Sequence, residues 1–168
     1  MSAMVIVGGG QAAGQNAASL RQEGYDGEII IIGDDTQIPY QRPSLSKQYL
    51  SGAHGLERIY LRPETFYKEQ NIGLHLGVTV TEIHPDEHTV TTSTGDSIGY
   101  EKLLLATGSR PRILNAPGSN LPGIHYLRSV EHVDNIQSEI PQADNVCIIG
   151  GGYIGLEVAS VAVSAGHD

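Results

Sequence analysis

Two glycine-rich turns are the residues of this sequence best suited to chemistry. Gly8-Gly9-Gly10 follows the apolar run Met4 to Val7, and Gly150-Gly151-Gly152 follows the run Asn145 to Ile149. Each turn leads into a segment of small and apolar residues with helical spacing. In such a strand–glycine turn–helix unit, the first glycine permits a tight turn and the second lets the backbone approach a pyrophosphate. The third glycine or alanine lets the helix pack closely on the strand.

The two turns form an internal repeat 142 residues apart. The three motif positions are Gly8, Gly10 and Ala13 in the first copy and Gly150, Gly152 and Gly155 in the second. A tight glycine turn that serves packing alone is the alternative interpretation of each copy. The strand and helix around both copies favour nucleotide binding, so the sequence predicts the beginnings of two dinucleotide-binding folds.

An acidic residue should follow the second strand of the first fold and bind the ribose hydroxyls. Asp34 and Asp35 lie 26 and 27 residues after Gly8, slightly beyond the usual spacing of about 20. The spacing leaves open which of the two serves. A solvated carboxylate in a turn is the alternative for both.

Two dinucleotide turns in one chain suggest a flavin that accepts a hydride from a nicotinamide. That reaction needs no acid, base or nucleophile from the protein, only apposition of two rings and electrostatic tuning of the flavin. The seven histidines show no metal-ligand spacing, so we expect no metal site. Cys147 is predicted to lie in an apolar strand as a small hydrophobic residue rather than a catalytic thiol.

The elements that must position these turns follow from the apolar pattern. The predicted α/β fold has a Rossmann-like parallel sheet, a small antiparallel meander and the start of a second Rossmann domain. Predicted strands cover Met4–Val7, Glu28–Ile32, Val78–Ile83, His88–Thr92, Leu103–Ala106 and Asn145–Ile149, and predicted helices cover Gln11–Glu23, Ser44–Leu50, a segment from Pro63, and Tyr153–Ala165. A Pro-rich stretch after Ser109 predicts a domain boundary, with an FAD-binding domain over 1–110 and a nucleotide domain beginning at 111–168.

The composition excludes several classes of protein. The 168 residues carry a net charge of −9 and only 10 Lys and Arg, which argues against a nucleic-acid-binding surface. We also expect no membrane association, because no apolar run approaches the roughly 20 residues of a membrane-spanning helix. The single cysteine and an N-terminus unlike a signal peptide fit a cytoplasmic protein.

Six segments spread over the whole chain carry a resemblance to a known family. They are Val5–Gly10, Leu20–Tyr25, Pro39–Lys47, Leu103–Arg112, Tyr126–Arg128 and Gly150–Ala159. On these segments the sequence resembles the FAD-dependent ferredoxin reductases of bacterial oxygenase systems, the putidaredoxin reductase and rhodocoxin reductase type. The resemblance implies FAD and NADH as cofactors. It implies that a hydride passes from NADH to FAD, and single electrons then pass to a [2Fe–2S] ferredoxin that serves a P450 or another oxygenase.

The resemblance also implies roles for individual residues. The implied FAD-binding residues are Gly8, Gly10, Ala12 and Ala13 at the pyrophosphate turn, Asp34 at the ribose, Val80 at the adenine, and Thr107, Gly108 and Arg128. The implied nicotinamide-binding residues are Gly150, Gly152, Tyr153, Ile154 and Gly155. Lys47 is implied to bind beside the reactive edge of the isoalloxazine, paired with Glu157 as the catalytic pair. Two unrelated surface charges are the alternative for this pair.

The sequence departs from the family pattern in three ways. Ser44 stands where the family usually has a second proline, and Ala13 replaces the third glycine. Family members are also much longer, so the chain resembles their N-terminal portion, and we expect it to be poorly stable and inactive alone. Another NAD(P)H–FAD oxidoreductase, such as an NADH oxidase, nitrite reductase or rubredoxin reductase, and a non-catalytic FAD-binding fragment or truncated gene product are the alternatives.

Overall fold

A computed structural model describes residues 3–167 of the chain. Its strands are β1 Ala3–Val7, β2 Glu28–Gly33, β3 Ile72–Leu76, β4 Val80–His84, β5 Thr89–Thr92, β6 Ser97–Gly99 and β7 Lys102–Leu105. Its helices are α1 Gln11–Gln22, α2 Leu56–Ile59, α3 Glu64–Glu69, α4 Val130–Glu139 and α5 Tyr153–Ser164, with short 3-10 helices at Arg42–Ser44 and Ile140–Gln142. The chain divides into two compact units. The first holds the residues up to Tyr40 with Tyr60–Ser109, and the second holds Gln41–Ile59 with the residues from Arg110 onward.

The first unit is built on a parallel sheet with the strand order β3-β2-β1-β7. The central strand β1 pairs Val5 with Ile30 of β2 on one side and with Leu103 of β7 on the other. Both inner strands are continuous apolar runs, as expected for strands that are covered on both faces. The predicted strand–helix–strand unit and the predicted fold class are therefore confirmed.

Helix α1 packs on this sheet through its small residues. Ala13 and Ala17 are fully buried among Ile6, Ile29 and other apolar residues of the strands. Small side chains let the helix approach the sheet closely, so the alanine-rich spacing seen in the sequence marks the packed face of the helix. Gly14 lies on the same helix, where an added Cβ would be 2.7 Å from the Cβ of the buried Pro39.

A small antiparallel sheet covers another part of the first unit. Its order is β4-β5-β6, and Val90 of β5 is fully buried against Val5, Val7 and Ile32. The hairpin between β5 and β6 turns at Gly95, which has a φ of +86°. This confirms the predicted meander, whose third strand is only three residues long.

Strand β3 and helix α4 are among the elements that were not predicted from the sequence. Strand β3 lies at an edge of the parallel sheet, and its apolar Ile72, Leu74 and Leu76 alternate with Gly73 and His75. That alternation is short and contains a glycine, so it gives a weak strand signal. Helix α4 was also missed, although Ser129 caps it through a hydrogen bond from the backbone N–H of His132.

Two predicted elements of the second unit are wrong. The segment 44–50 is not an α-helix but a series of hydrogen-bonded turns that follows the 3-10 helix Arg42–Ser44. The segment 145–149 forms no strand, and Cys147 is exposed rather than buried. A buried parallel strand needs neighbours on both sides, and no segment within residues 3–167 pairs with this one.

The packing around Gly14 predicts whether Gly14→Ala stabilises or destabilises the chain. Helix propensity alone favours Gly14→Ala by about 1 kcal/mol. We expect instead a loss of about 1–3 kcal/mol in the free energy of unfolding, because the new methyl group meets the rigid ring of Pro39. Urea denaturation measures the difference, with Ser19→Ala on the same helix as a control expected to change stability by less than about 0.5 kcal/mol. A stabilised Gly14→Ala variant would contradict the packing described here.

Candidate functional site

The first glycine turn lies where three segments approach one another closely: the ends of β1 and β2 and the residues that follow β7. Gly8 follows β1 directly with a φ of +117°, and its N–H donates to the carbonyl of Ile32 at 2.7 Å. A Cβ on Gly8 would lie 2.2 Å from the carbonyl oxygen of Ala106, a separation far shorter than any van der Waals contact. Position 8 therefore requires glycine for both its conformation and its space.

Helix α1 begins immediately after this turn and presents an uncapped N-terminus. Gly10 is the N-cap and supplies no side-chain hydrogen bond, and the first turn contains no acidic residue. The first intrahelical bond runs from the Gly14 N–H to the Gly10 carbonyl at 3.1 Å. The N–H groups of Gln11, Ala12 and Ala13 thus have no acceptor within the helix, at the positive end of its dipole. This arrangement fits an anionic group such as a pyrophosphate.

The second glycine turn has the same backbone conformation as the first. Gly150 has a φ of +115°, Gly152 is the uncapped N-cap of α5, and the Leu156 N–H donates to the Gly152 carbonyl at 3.1 Å. A Cβ on Gly155 would lie 2.6 Å from the carbonyl oxygen of Gly150, so the third glycine lets the helix pack against its own turn. The turn and the helix of the sequence repeat are thus repeated in three dimensions, whereas its strand is not.

The predicted nicotinamide-binding side chains of the second turn are exposed. Tyr153 and Ile154 occupy the first two positions of α5 and are 87% and 53% exposed. Gly150, Gly151 and Gly152 have no neighbouring atom within 4 Å of an added Cβ. Within its own unit, the second turn is therefore open to a ligand.

The two aspartates after β2 have different surroundings. One carboxylate oxygen of Asp35 accepts from the Tyr40 hydroxyl at 2.6 Å, and the other accepts from the Gln37 N–H at 3.1 Å. The Asp35 carbonyl also accepts from the Gly77 N–H. Asp35 is thereby engaged in holding the loop, and Asp34 is exposed directly after β2. These surroundings favour Asp34 as the ribose-binding candidate.

Three of the predicted FAD-binding positions lie at the edge of the parallel sheet that is formed by the carboxyl ends of its strands. Gly8, Asp34 and Thr107 follow the carboxyl ends of β1, β2 and β7, which are neighbours in the sheet. Thr107 and Gly108 are exposed, and Gly108 has a φ of +69°. Ligands of open α/β sheets bind outside this edge, where the strand order reverses. Val80 opens β4 and packs half-buried against the cluster that contains Val7.

Lys47 and Glu157 form an ion pair within the second unit. The Lys47 Nζ lies 2.7 Å from Glu157 Oε1, and it also donates to the Pro43 carbonyl at 3.1 Å. The hydroxyl of Ser46 donates to Glu157 Oε2 at 2.5 Å. The hydrogen bonds from Lys47 and Ser46, together with the Lys47 charge, hold the pKa of Glu157 below its ordinary value of 4.5. The Glu157 carboxylate is therefore ionised at neutral pH.

Helix α4 anchors the loop that carries Lys47. The Tyr49 hydroxyl donates to Asp134 Oδ1 at 2.7 Å, and the Gln137 side chain donates to the carbonyls of Tyr49 and Leu50 at 2.6 and 3.1 Å. These ties explain why 44–50 adopts turns instead of the predicted helix, because tertiary contacts override local propensity. They also join segments 85 to 88 residues apart, a distance over which sequence patterns carry no signal.

Arg128 lies in the second unit together with Arg42. The Arg42 guanidinium donates to the backbone carbonyl of Arg128 at 2.6 Å. The contact fixes the chain next to the predicted cofactor-binding side chain of Arg128, which is half-buried. Sequence reasoning missed Ser46, Tyr49, Asp134 and Gln137, and the only signal for any of them was the adjacency of Ser46 to Lys47.

Within residues 3–167, no group of three or more His, Cys, Asp or Glu side chains is arranged to hold a metal ion. None of the helices in the same residues is long and apolar enough to cross a membrane.

Comparisons with known proteins agree with this geometry. The model of the pyridine nucleotide-disulphide oxidoreductase family matches residues 2–168. Rhodocoxin reductase of Rhodococcus erythropolis is 42% identical over 165 residues, covering 98% of this chain and 39% of that protein. A rubredoxin-NAD(+) reductase of Pseudomonas putida is 43% identical over 165 residues, covering 98% of this chain and 43% of that protein.

A solved structure shows the same fold. The ferredoxin reductase for the CYP199A2 system of Rhodopseudomonas palustris superposes with a TM-score of 0.94 at 37% identity, covering 99% of this chain and 41% of that one. A parallel sheet that carries glycine turns of this kind is typical of dinucleotide-binding folds. The chain belongs to the pyridine nucleotide-disulphide oxidoreductase family, and it is similar to the ferredoxin and rubredoxin reductases within it. It spans about two fifths of the length of these relatives.

The ion pair predicts a pH dependence of stability. Because the pKa of Glu157 is lowered by folding, the pair's contribution is fully present above the ordinary value of 4.5 and is lost as the pH falls through the lower folded value. We expect the stability difference between the wild-type chain and Glu157→Gln to be present at pH 7 and to disappear below that folded value. Urea denaturation across pH 3–7 measures it. A difference that is constant over this range would contradict the lowered pKa.

The anchoring of the loop predicts a second stability effect. Tyr49→Phe removes the hydrogen bond to Asp134 and should lower the free energy of unfolding by about 1 kcal/mol. Tyr153→Phe is the matched control, because the Tyr153 side chain is almost fully exposed and should change stability by less than about 0.5 kcal/mol. Equal effects of the two variants would show that the Tyr49–Asp134 bond does not hold the loop.

Proposed function

We propose that this chain carries the FAD-binding turn and the beginning of the nicotinamide-binding domain of an NADH-dependent flavoprotein reductase. The observation that carries the proposal is the pair of uncapped helix N-termini, each preceded by a glycine turn, with a φ of +117° at Gly8 and +115° at Gly150. Two such anion-binding turns in one chain suit two dinucleotides. The similarity to ferredoxin and rubredoxin reductases over nearly the whole chain supports the same assignment.

The first turn is the proposed FAD site. Gly8 and Gly10 bring the backbone close to the pyrophosphate, and the N–H of Ala12 donates to it from the helix end. Ala13 is fully buried, so it contributes its N–H while its methyl group packs in the core. Asp34 accepts hydrogen bonds from the adenosine ribose, Val80 contacts the adenine, and Thr107 and Gly108 line the edge of the sheet. Arg128 is proposed to bind FAD on the strength of the resemblance.

The second turn is the proposed nicotinamide site. Gly150, Gly152 and Gly155 form the turn and its helix contact, and the N–H groups of Tyr153 and Ile154 face the pyrophosphate. The predicted assignment of 1–110 to an FAD-binding domain and of 111–168 to the start of a nicotinamide domain is retained as part of this proposal. The single cysteine favours a reducing cytoplasm as the compartment.

When bound, FAD takes a hydride from NADH and passes electrons onward singly. Lys47 contributes the charge in this chemistry. Its ammonium is held by the Glu157 carboxylate at 2.7 Å and by the Pro43 carbonyl, and these two contacts use two of its three N–H donors. On the strength of the resemblance, we assign the third N–H to the flavin N5 region, where a fixed positive charge stabilises negative charge on the ring. The pairing makes Lys47 and Glu157 the candidate catalytic residues.

A [2Fe–2S] ferredoxin that serves a P450 or another oxygenase is the proposed electron acceptor. The similar structure from Rhodopseudomonas palustris is a ferredoxin reductase for a CYP system, and rhodocoxin reductase is a comparable relative. A rubredoxin is the second candidate, because a rubredoxin-NAD(+) reductase matches with the same coverage of this chain. Rates of NADH-dependent reduction of a ferredoxin and of a rubredoxin, measured with a reductase that contains this chain, separate the two acceptors.

Titration with FAD tests the proposed function directly. We expect the folded 168-residue chain, checked by circular dichroism, to bind FAD saturably and to melt at a higher temperature when FAD is present. Asp34→Asn should raise the Kd about tenfold, because a hydrogen bond to a charged group contributes about 1.5 kcal/mol or more. Asp86→Asn, the same change in the turn between β4 and β5, should leave the Kd unchanged. A folded chain that does not bind FAD would contradict the proposal, and FAD binding without NADH oxidation by any longer form would support the non-catalytic alternative.

A further inference from the structure

Ser46 is a buried polar residue whose role no sequence motif explained. Its side chain is 3% exposed, and its hydroxyl donates to Glu157 Oε2 at 2.5 Å. Most of the polar side chains in the same loop, including Ser44 and Ser51, are more exposed. A buried hydroxyl is retained at low cost only where it has a hydrogen-bond partner. Ser46 therefore has its conformation fixed by burial and its proton directed at one carboxylate oxygen.

The two oxygens of Glu157 have different donors from consecutive residues. Oε2 receives the Ser46 hydroxyl, and Oε1 receives the Lys47 ammonium. A glutamate has three rotatable side-chain torsions, and an ion pair alone restricts them weakly when the partner is a flexible lysine. A second donor on the other oxygen fixes the plane of the carboxylate. Oε1 is then held in one direction, and the Lys47 ammonium is held with it.

We propose that Ser46 is a positioning residue that locks the Glu157 carboxylate, so that Lys47 is held in a single orientation with one N–H free for the flavin. This inference rests on the proposed function for its last step, the approach of Lys47 to the flavin. The first step, the control of Glu157 by Ser46, is independent of any cofactor. The two steps can therefore fail separately.

Ser46 also acts on the charge of the pair. A hydrogen bond to the ionised form of a carboxyl group favours that form, and among residues 3–167 the Ser46 hydroxyl is one of two side-chain donors to Glu157. Lys47 is the other, and it is the one charged side chain acting on Glu157 within residues 3–167. With Ser46 present, Glu157 stays ionised down to a lower pH, and it neutralises part of the Lys47 charge. Without it, the carboxylate is free to turn towards solvent and the ammonium loses its fixed partner.

A simple structural tie between the loop and α5 is the competing explanation of the same hydrogen bond. Such a tie would also lower the pKa of Glu157, because any hydroxyl that donates to a carboxylate favours its ionised form. A tie alone would leave the orientation and the environment of the Lys47 ammonium unchanged. The titration of Glu157 therefore tests whether Ser46 acts on the carboxylate, and the 15N NMR signal of the Lys47 ammonium tests whether Lys47 is positioned through it. That signal should change in Ser46→Ala and not in Ser51→Ala, and an unchanged Lys47 signal in Ser46→Ala would overturn the proposal.

The first measurement follows the side-chain carboxyl signal of Glu157 by 13C NMR against pH in the wild-type chain, Ser46→Ala and Ser51→Ala. We expect Ser46→Ala to lower the acid dissociation constant of Glu157 about tenfold, since one of its two donors is lost. Ser51→Ala is the matched control, because Ser51 lies in the same loop and donates only to the carbonyl of Gln48 at 3.2 Å. Unchanged titration of Glu157 in Ser46→Ala would overturn the proposal.

A conservative variant, Ser46→Thr, and the NMR signal of the Ser46 hydroxyl proton provide two further tests of the same hydrogen bond. Ser46→Thr retains the hydroxyl and should keep the wild-type titration, which a general effect of disturbing the loop would not do. In the unmutated chain, the Ser46 hydroxyl proton should exchange slowly with water while Glu157 is ionised and rapidly once Glu157 is protonated. Rapid exchange at neutral pH would overturn the proposal even if Ser46→Ala does not fold.

The last step is tested with FAD bound. The visible spectrum of the bound flavin should differ between the wild-type chain and Ser46→Ala, while Ser51→Ala gives the wild-type spectrum. If FAD does not bind to the wild-type chain, the proposed function fails, and the Glu157 titration still decides the role of Ser46. If FAD binds and the three spectra are identical, the link from Ser46 to the flavin is wrong although the proposed function stands.

Discussion

The first unit depends on how closely its chain segments pass one another at Gly8. Strand β1 lies between β2 and β7, so the residue that follows β1 is flanked by the ends of both neighbours. Gly8 donates to the carbonyl of Ile32 on one side, and the space for its Cβ is taken by the carbonyl of Ala106 on the other. Only a residue without a side chain fits, and only then does α1 begin at once with its N-terminus at the edge of the sheet. Asp34 and Thr107 lie at the same edge because β2 and β7 both run parallel to β1.

Two kinds of groups suit a ligand in this chain. At the glycine turn of each unit they are backbone N–H groups, whose direction is fixed by the turn and needs no side chain. In the second unit, the Ser46, Lys47 and Glu157 side chains also form a network whose geometry depends on the hydrogen bonds between them. The loop that carries Ser46 and Lys47 is held against α4 by hydrogen bonds from Tyr49 to Asp134 and from Gln137 to Tyr49. Backbone sites tolerate substitution of neighbouring side chains, whereas a side-chain network loses its orientation when one member is removed.

The sequence predicted the parts of the fold that depend on local pattern. The glycine turns, the apolar runs of β1, β2 and β7 and the alanine spacing of α1 each carry a physical signal within about 12 residues, and all were found. The turn structure of 44–50 was not predictable in this way, because Asp134 and Gln137 decide it from 85 or more residues away. The strand expected over 145–149 failed for a related reason, since an apolar run becomes a strand only when neighbours pair with it. Of the site, the Lys47–Glu157 pair came from the resemblance and the Ser46 contact came from the structure alone.

The assignment of one dinucleotide to each glycine turn is tested most directly by mapping backbone amide signals of the chain by NMR during separate titrations with FAD and NADH. We expect FAD to shift the amides from Gly8 to Ala13 and that of Asp34, because their N–H groups lie at the first helix end and the sheet edge. NADH should shift the amides from Gly150 to Gly155. FAD shifts confined to the second turn, or shifts at neither turn in a folded chain, would contradict the assignment.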